Sequence, residues 1–382
     1  MKFSRIFLSL AHTSGYEIDF IKKAFSSNWI TCDGPNIYGF EEDLQNYLQD
    51  NSYVAALNSG TAALHLGLII LGVKPGDEVI CQSMTFSASA NPILYQGAIP
   101  VFVDSETDTW NMSPIDLEEA IVDRIAKGKK PKAIIAVHLY GMPYKVDEIH
   151  DIAKKYAISV LEDSAEALGS QYKNKKCGTF GDISVLSFNG NKIITTSGGG
   201  VLVSKNKEIK EKAVFLATQS KDAAPHFQHS EIGYNYRMSN ICAGIGRGQM
   251  QVLDDHVNQR RAMHDFYSAF FKDIPSITVF TIPNDDYFAN YWLSAILVDP
   301  EKANGMTRET IRLALEAENI ESRPLWKPMH LQPIFKKYPY YGEKVAETLF
   351  ENGLCLPSGS NLTEEDRNRI HRVLSQLFGK KG

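Results

Sequence analysis

The chain has few cysteines and no long apolar run, and both shortages narrow what it can be. Five cysteines are spread over 382 residues, at Cys32, Cys81, Cys177, Cys242 and Cys355. They are odd in number and never fall in a CxxC pair. That argues against a disulfide framework or a zinc site and fits a reducing cytoplasm. No stretch reaches the ~18 apolar residues of a membrane helix, so no membrane span is expected. The apolar part of KFSRIFLSLAHTSG, at the start, is too short for a secretory signal core. Charge of one sign is not in excess either. Forty Lys and Arg against 45 Asp and Glu leave a formal net charge of −5, which gives no bulk pull towards nucleic acid or anionic lipid. There is no internal repeat and no low-complexity segment.

What remains is an ordinary globular composition, 43% hydrophobic and 22% charged. The length suits about two to three domains at ~150 residues each. Short apolar strands alternate with helical stretches between residues 50 and 205. TAALHLGLIILG (61–72) reads as a buried helix, and EVIC (78–81), IPVFVD (99–104), KAIIAV (132–137) and ISVLED (158–163) as strands. VDEIHDIAKKYA (146–157) has helical spacing with charges outside. This alternation predicts an α/β fold, a mostly parallel sheet with helices on both faces. DISVLSF (182–188) and GVLVSK (200–205) read as two further strands. A long helical stretch is expected from Ser239 to Phe271, then a smaller α+β region with helices in 307–320 and 363–378. The expected division is an N-terminal segment 1–30 packing on the small domain, a large domain 31–245, a connecting helix 246–274 and a small domain 275–382.

Several stretches can carry chemistry. In NSGTAALHLGL (58–68) a small turn runs straight into a helix. Its free N–H groups and the helix dipole mark a place for a phosphate, with Ser59 and Thr61 adding hydroxyls; a plain helix cap is the alternative. No GK[ST] follows, so it is not a nucleotide-triphosphate loop. Phe86, in MTFSASAN (84–91), follows a strand at the sheet edge where such folds bind ligands. There it either stacks on a planar ring or fills the core. Asp163 ends the ISVLED strand, flanked by Glu162 and Glu166. Lys192 sits between Ser187 and a run of three glycines, in the turn joining two strands. A carboxylate that keeps a ring nitrogen protonated and an amine that forms an imine together suit pyridoxal phosphate (PLP). Asn235 and Arg237, in GYNYRM (233–238), can reach a phosphate or make surface contacts. Arg323, Trp326, Lys327 and His330, in RPLWKPMH (323–330), suit a nucleotide or sugar, or a structural loop. His330 has no second ligand at metal spacing, so no metal is expected.

With these pieces in order, the chain resembles the DegT/DnrJ/EryC1/StrS family of sugar aminotransferases, PLP enzymes of the aspartate-aminotransferase type (fold type I). The likeness runs from about Gly15 to the C-terminal helix. It rests on NSGTAALHLGL, EDSAEALGS, GTFGDISVLSFNGNK, TTSGGG and GYNYRMSN. The resemblance implies that Lys192 carries the cofactor as a Schiff base, that Asp163 binds its ring nitrogen and that Phe86 stacks on the ring. It implies that Gly60 and Thr61, with Ser187, bind the phosphate, and that Asn235 of a partner subunit completes that site in an obligate homodimer. Glutamate is the implied amino donor and a nucleoside-diphosphate keto sugar the implied acceptor. The NGNKIITTSGGG and SRPLWKPMH segments look like those of UDP-4-keto-6-deoxy-N-acetylglucosamine 4-aminotransferases of the bacillosamine pathway. Where many family members read GEGG, this chain has Ser197, Gly198, Gly199 and Gly200. A 3-aminotransferase, or a 4-aminotransferase for GDP or dTDP sugars, stands as the alternative. A PLP-binding regulator without turnover is more remote, because the chain has no spare basic module. Tyr291 and Trp292 join the expected substrate contacts.

Overall fold

The computed structural model describes residues 4–379. The first part of the chain runs α1 (Glu17–Ser26), α2 (Pro35–Leu48), β1 (Tyr53–Leu57), α3 (Gly60–Ile70), β2 (Glu78–Gln82), α4 (Ser87–Tyr95) and β3 (Ile99–Val103). It continues through α5 (Pro114–Ala126), β4 (Ala133–Val137), α6 (Val146–Tyr156), β5 (Ser159–Asp163), β6 (Gln171–Tyr172), β7 (Lys175–Lys176), β8 (Ile183–Ser187), β9 (Gly200–Ser204) and α7 (Lys207–Ala217). Then follow α8 (Asn240–Met250), α9 (Leu253–Phe271), β10 (Ile277–Val279), β11 (Tyr287–Phe288), β12 (Ser294–Val298), α10 (Arg308–Ala317), β13 (Arg323–Pro324), β14 (Tyr340–Tyr341), α11 (Val345–Asn352), β15 (Gly353–Leu356) and α12 (Glu364–Phe378).

The central sheet has the order β1-β9-β8-β5-β4-β2-β3-β14. From β8 to β14 all neighbours are parallel, while β9 pairs antiparallel with both β8 and β1. Alternation along each strand explains the two layers of helix. On β4, Ala133, Ile135 and Val137 face one core, with Ala63 and Leu64 of α3, Ile93 of α4 and Leu216 of α7. Ile134 and Ala136 face the other, with Phe40 of α2, Ile121 of α5 and Ile149 of α6. Both faces are dry, so the strands read as unbroken apolar runs. A third core joins Tyr267 and Phe271 of α9, Ile296 of β12, Ile311 of α10 and Leu374 of α12. It lies under the antiparallel sheet β10-β12-β15-β13. The fold is the expected α/β architecture, with a large, mostly parallel sheet.

Three features depart from the sequence reading. The stretch 239–271 is not one helix. Val252 (φ −121°, ψ 11°) leaves helical geometry and separates α8 from α9. Helix α1 packs on α8 rather than on the small domain. Gly248 allows that approach, because a Cβ there would lie 2.5 Å from the Glu17 nitrogen. The Glu17 carboxylate then accepts from the Ser14 and Gly15 N–H groups and from Gln249. The segment ahead of α1 reaches the 275–382 region. Ile6 bridges to Ile320, and Ser358 donates to the Leu8 carbonyl. Finally, β14 returns from the C-terminal region to extend the large sheet beside β3.

Candidate active site

The C-terminal ends of the parallel strands open onto a cavity of about 450 Å³. Asp163 enters it from the end of β5. Ser59, Gly60 and Thr61 enter from the first turn of α3, Phe86 from the start of α4, and Ser187 from the end of β8. Lys192 comes from the loop between β8 and β9, whose ends are fixed by the pairing of Ser187 with Gly200. Open α/β sheets bind ligands at this edge.

The lysine loop is tied down residue by residue. The Asn191 carbonyl accepts from the Trp292 indole (2.6 Å) and the Ser9 hydroxyl (2.6 Å). The Lys192 carbonyl accepts from Arg260 (3.3 Å), and His256 contacts the Ile193 carbonyl at 3.2 Å. The Lys192 ammonium stands 3.2 Å from Glu166 and 4.2 Å from the centre of the Trp292 ring.

Asp163 is 4% exposed. Its bonds come from two neutral donors, the Ser89 hydroxyl (2.7 Å) and the Ala165 N–H (3.1 Å). Burial pushes its carboxyl above the usual aspartate range, although both donors and the nearby Lys192 pull the other way. A buried carboxylate bonded this way is costly unless a cation joins it. Glu166 is also 4% exposed; it accepts from the Tyr140 N–H at 2.8 Å, and burial pushes it up to about 7.

The turn at α3 has the shape of an anion cradle. Ser59 caps the helix by accepting from the Ala62 N–H. Gly200 lies flat against the turn, where a Cβ would come within 2.4 Å of the Gly60 nitrogen. Backbone N–H groups at a helix start, opened by glycine, suit a phosphate. A buried carboxylate without a cationic bond, an amine, an anion cradle and the Phe86 ring in one cavity fit pyridoxal phosphate. Asp163 would hold the ring nitrogen, Lys192 the aldehyde carbon and the first turn of α3 the phosphate.

An aromatic wall closes the small-domain side. Trp326 contacts Phe86, Tyr140 and Trp292, with ring centres 5.6, 5.0 and 6.1 Å away. Arg323 lines the same cavity and pairs with Glu321 at 2.8 Å. Other expected contacts lie elsewhere. Arg237 is buried against Glu41 (2.5 Å) and the Ala56 carbonyl, so it is a structural cation and not a substrate contact within its own protomer. Tyr291 is stacked on His264 at 3.6 Å and does not line the cavity. His330 is held by the Ser83 hydroxyl (2.7 Å) and stacks on Tyr340 (3.7 Å), away from the site. Lys327 is exposed outside the cavity. Asn235 is exposed too, next to Asn58, whose amide donates to its carbonyl.

The sequence reading passed over Ser89, which fixes Asp163, and His138, which bonds Glu162 at 2.7 Å behind it. Ser89 stood three residues from Phe86 in the same motif; its helical phase was the available signal. Nothing in the local sequence of AVHLYG ties His138 to β5.

Residues 13–375 match the DegT/DnrJ/EryC1/StrS aminotransferase family. EpsN of Bacillus subtilis (strain 168), assigned as a pyridoxal phosphate-dependent aminotransferase, is 49% identical over 381 residues, 98% of this chain and 96% of that protein. The GDP-perosamine synthase of Escherichia coli O157:H7 is 39% identical, covering 96% of this chain and 97% of its own. The crystal structure of a DegT DnrJ EryC1 StrS aminotransferase from Brucella abortus superposes with a TM-score of 0.88 at 30% identity, over 96% of each chain. Fold, cavity chemistry and these likenesses agree: the chain belongs to the DegT/DnrJ/EryC1/StrS family and is a PLP-dependent sugar aminotransferase.

Proposed function

We propose that the chain moves the amino group of L-glutamate to C4 of a UDP-linked 4-keto-6-deoxy-N-acetyl sugar, giving a 4-amino sugar nucleotide for glycan biosynthesis. The observation that carries the reading is the meeting of Asp163, Lys192 and the first turn of α3 around one cavity walled by Trp292 and Trp326. Pyridoxal phosphate, when bound, supplies the electron-withdrawing ring and the aldehyde through which amino groups are exchanged. Asp163 would hold the protonated ring nitrogen. Lys192 would hold the aldehyde carbon, and its amine is the group placed to move a proton. The N–H groups of Gly60 and Thr61 and the Ser187 hydroxyl would hold the phosphate. Trp292, Trp326 and Arg323 orient the nucleotide sugar and exclude water.

The reading includes a homodimer in which Asn235 reaches the neighbouring protomer's phosphate. Support comes from the exposed apolar side chains Tyr16, Ile18, Phe25, Trp29, Ile30 and Tyr38, between residues 16 and 38, since exposed apolar surface marks protein contacts. The five free cysteines suit the cytoplasm, where thiols stay reduced. Among the described residues no helix is long and apolar enough to cross a membrane.

A GDP-linked 4-keto sugar is the second reading, favoured by the 39% identical GDP-perosamine synthase. Purified protein should be given glutamate with UDP-, GDP- and dTDP-linked 4-keto sugars, and the products weighed by mass spectrometry. An amino sugar from the UDP substrate supports the proposal, and one from the GDP substrate alone moves it to the second reading. No amino sugar from any of the three defeats both.

A further inference from the structure

The second carboxylate beside Lys192 has a use of its own. Glu166 lies 3.2 Å from the Lys192 ammonium through Oε1, while Oε2 accepts the Tyr140 N–H at 2.8 Å. The backbone bond orients the carboxylate with Oε1 towards the amine. Trp292 covers the ammonium from another side, its ring centre 4.2 Å away. The ionisable groups around Glu166 are Lys192, Asp163, the Tyr140 hydroxyl and the Cys355 thiol. Of these, Lys192 alone is a cation.

A free lysine amine is useful as base or nucleophile only when neutral, and lysines are ordinarily protonated at neutral pH. The proton needs an acceptor in contact with Nζ. Asp163 is committed to neutral donors, and the Trp292 face attracts the charged amine without taking a proton. Glu166 is the acceptor in reach. Its burial, with the negative charge of Asp163 behind it, outweighs the pull of Lys192 and the Tyr140 N–H and raises it to about 7. That makes it a stronger base than an ordinary glutamate.

We propose that Glu166 exchanges a proton with Lys192. The Nζ–H bond breaks and an Oε1–H bond forms, leaving a neutral amine beside a neutral carboxylic acid; the reverse transfer restores the ion pair. No electron changes hands and no co-reactant is needed. Trp292 is a positioning residue in this exchange, holding the charged amine against the acid. The inference rests on the role given to Lys192 above.

The test uses the full chain stripped of cofactor, with pyridoxal phosphate itself as the probe. Its rate of capture by Lys192 is followed by absorbance from about pH 5 to about pH 9. The unaltered chain should show an ionisation near neutral pH. In Glu166→Gln, which keeps an acceptor for the Tyr140 N–H, that ionisation should vanish and capture at neutral pH should slow by about 10²-fold, the usual size of a general acid–base effect. Glu166→Asp should keep the ionisation with a smaller loss. A Glu166→Gln profile that overlays the unaltered one overturns the proposal. The role of Lys192 is checked separately: a borohydride-trapped adduct in Lys192→Ala ends that reading and this one with it. Should Glu166→Gln fail to fold, the unaltered chain still decides. Its rate of pyridoxal phosphate capture should break near neutral pH, where Glu166 ionises, and a capture rate without that break overturns the proposal.

Discussion

Replacing Glu162 with glutamine should cost far more than the change of one atom suggests. Glu162 precedes Asp163 and is fully buried. Its Oε1 accepts from the Ser164 hydroxyl (2.8 Å) and the Gly178 N–H (2.6 Å) and pairs with His138 (2.7 Å). Its Oε2 accepts from the Phe180 N–H (2.8 Å), the Gly181 N–H (3.0 Å) and the Ser184 hydroxyl (2.6 Å). Whichever way a glutamine amide turns, its NH₂ meets N–H donors that cannot turn away. Burial alone would raise the Glu162 carboxyl. The bonds from His138, Ser184 and Gly178 win and hold it down to about 2. A carboxyl lowered on folding stabilises the native state above its unfolded value and loses that contribution as pH falls through its folded value. Lowering from 4.5 to about 2 is therefore worth about 3 kcal/mol at neutral pH, of which about 2 kcal/mol disappears between about pH 5 and about pH 3. Leaving the buried N–H donors around it without an acceptor costs about 1–3 kcal/mol each. Urea unfolding of the cofactor-free chain at both pH values measures each part. Glu162→Gln should lower the midpoint at neutral pH and flatten the acid dependence. A variant within about 1 kcal/mol of the unaltered chain, with the same pH slope, refutes the argument.

Other outcomes follow from the same geometry. Lys192→Ala should abolish both turnover and the near-ultraviolet band of the reconstituted protein, as spectroscopy and a product assay would register. Gly200→Ala should weaken retention of pyridoxal phosphate on dialysis by at least about tenfold, because its Cβ would press within 2.4 Å of the Gly60 nitrogen. Unchanged retention would mean that the α3 turn is not the phosphate cradle.

Much of the architecture was legible because both faces of the central sheet are buried. The runs around β2, β3, β4 and β5 stand out as apolar segments of strand length, and α6 shows its outer face as charge. Asp163 and Lys192 were readable because each sits at a punctuation mark, the end of a strand and a glycine-rich turn. Arg237 was misleading. Its neighbours are polar, but its partner Glu41 lies 196 residues away, and no local pattern announces a buried ion pair. Separation along the chain also hid the return of β14, only two residues long, to the large sheet. The break at Val252 was equally silent, since the apolar spacing carries on across it.

Arg260 poses the hardest case of this kind, and its reading can be tested. It is fully exposed to nothing but protein: its side chain is buried, 0% exposed, and burial lowers its pKa to about 9. Its two Nη groups donate to the carbonyls of Trp292 (2.7 Å), Ser358 (3.3 Å) and Lys192 (3.3 Å) and to the Ser9 hydroxyl (3.0 Å). One guanidinium thus ties the N-terminal segment, the small domain and the lysine loop together. Carbonyl dipoles compensate a buried charge less well than a carboxylate would, so the arrangement costs several kcal/mol of desolvation. Arg260→Met removes that cost but leaves three carbonyls short of a donor, at about 1–3 kcal/mol each. The two changes oppose, so global stability should move little. The local effect has no such compensation. Amide exchange in a peptide spanning 189–196 should speed up by roughly tenfold or more, a loosening of about 1.4 kcal/mol, while peptides from α10 and α12 keep their rates. Equal acceleration everywhere would show that Arg260 serves overall stability alone, and no acceleration in the loop would show that the remaining ties on residues 191 to 193 suffice without it.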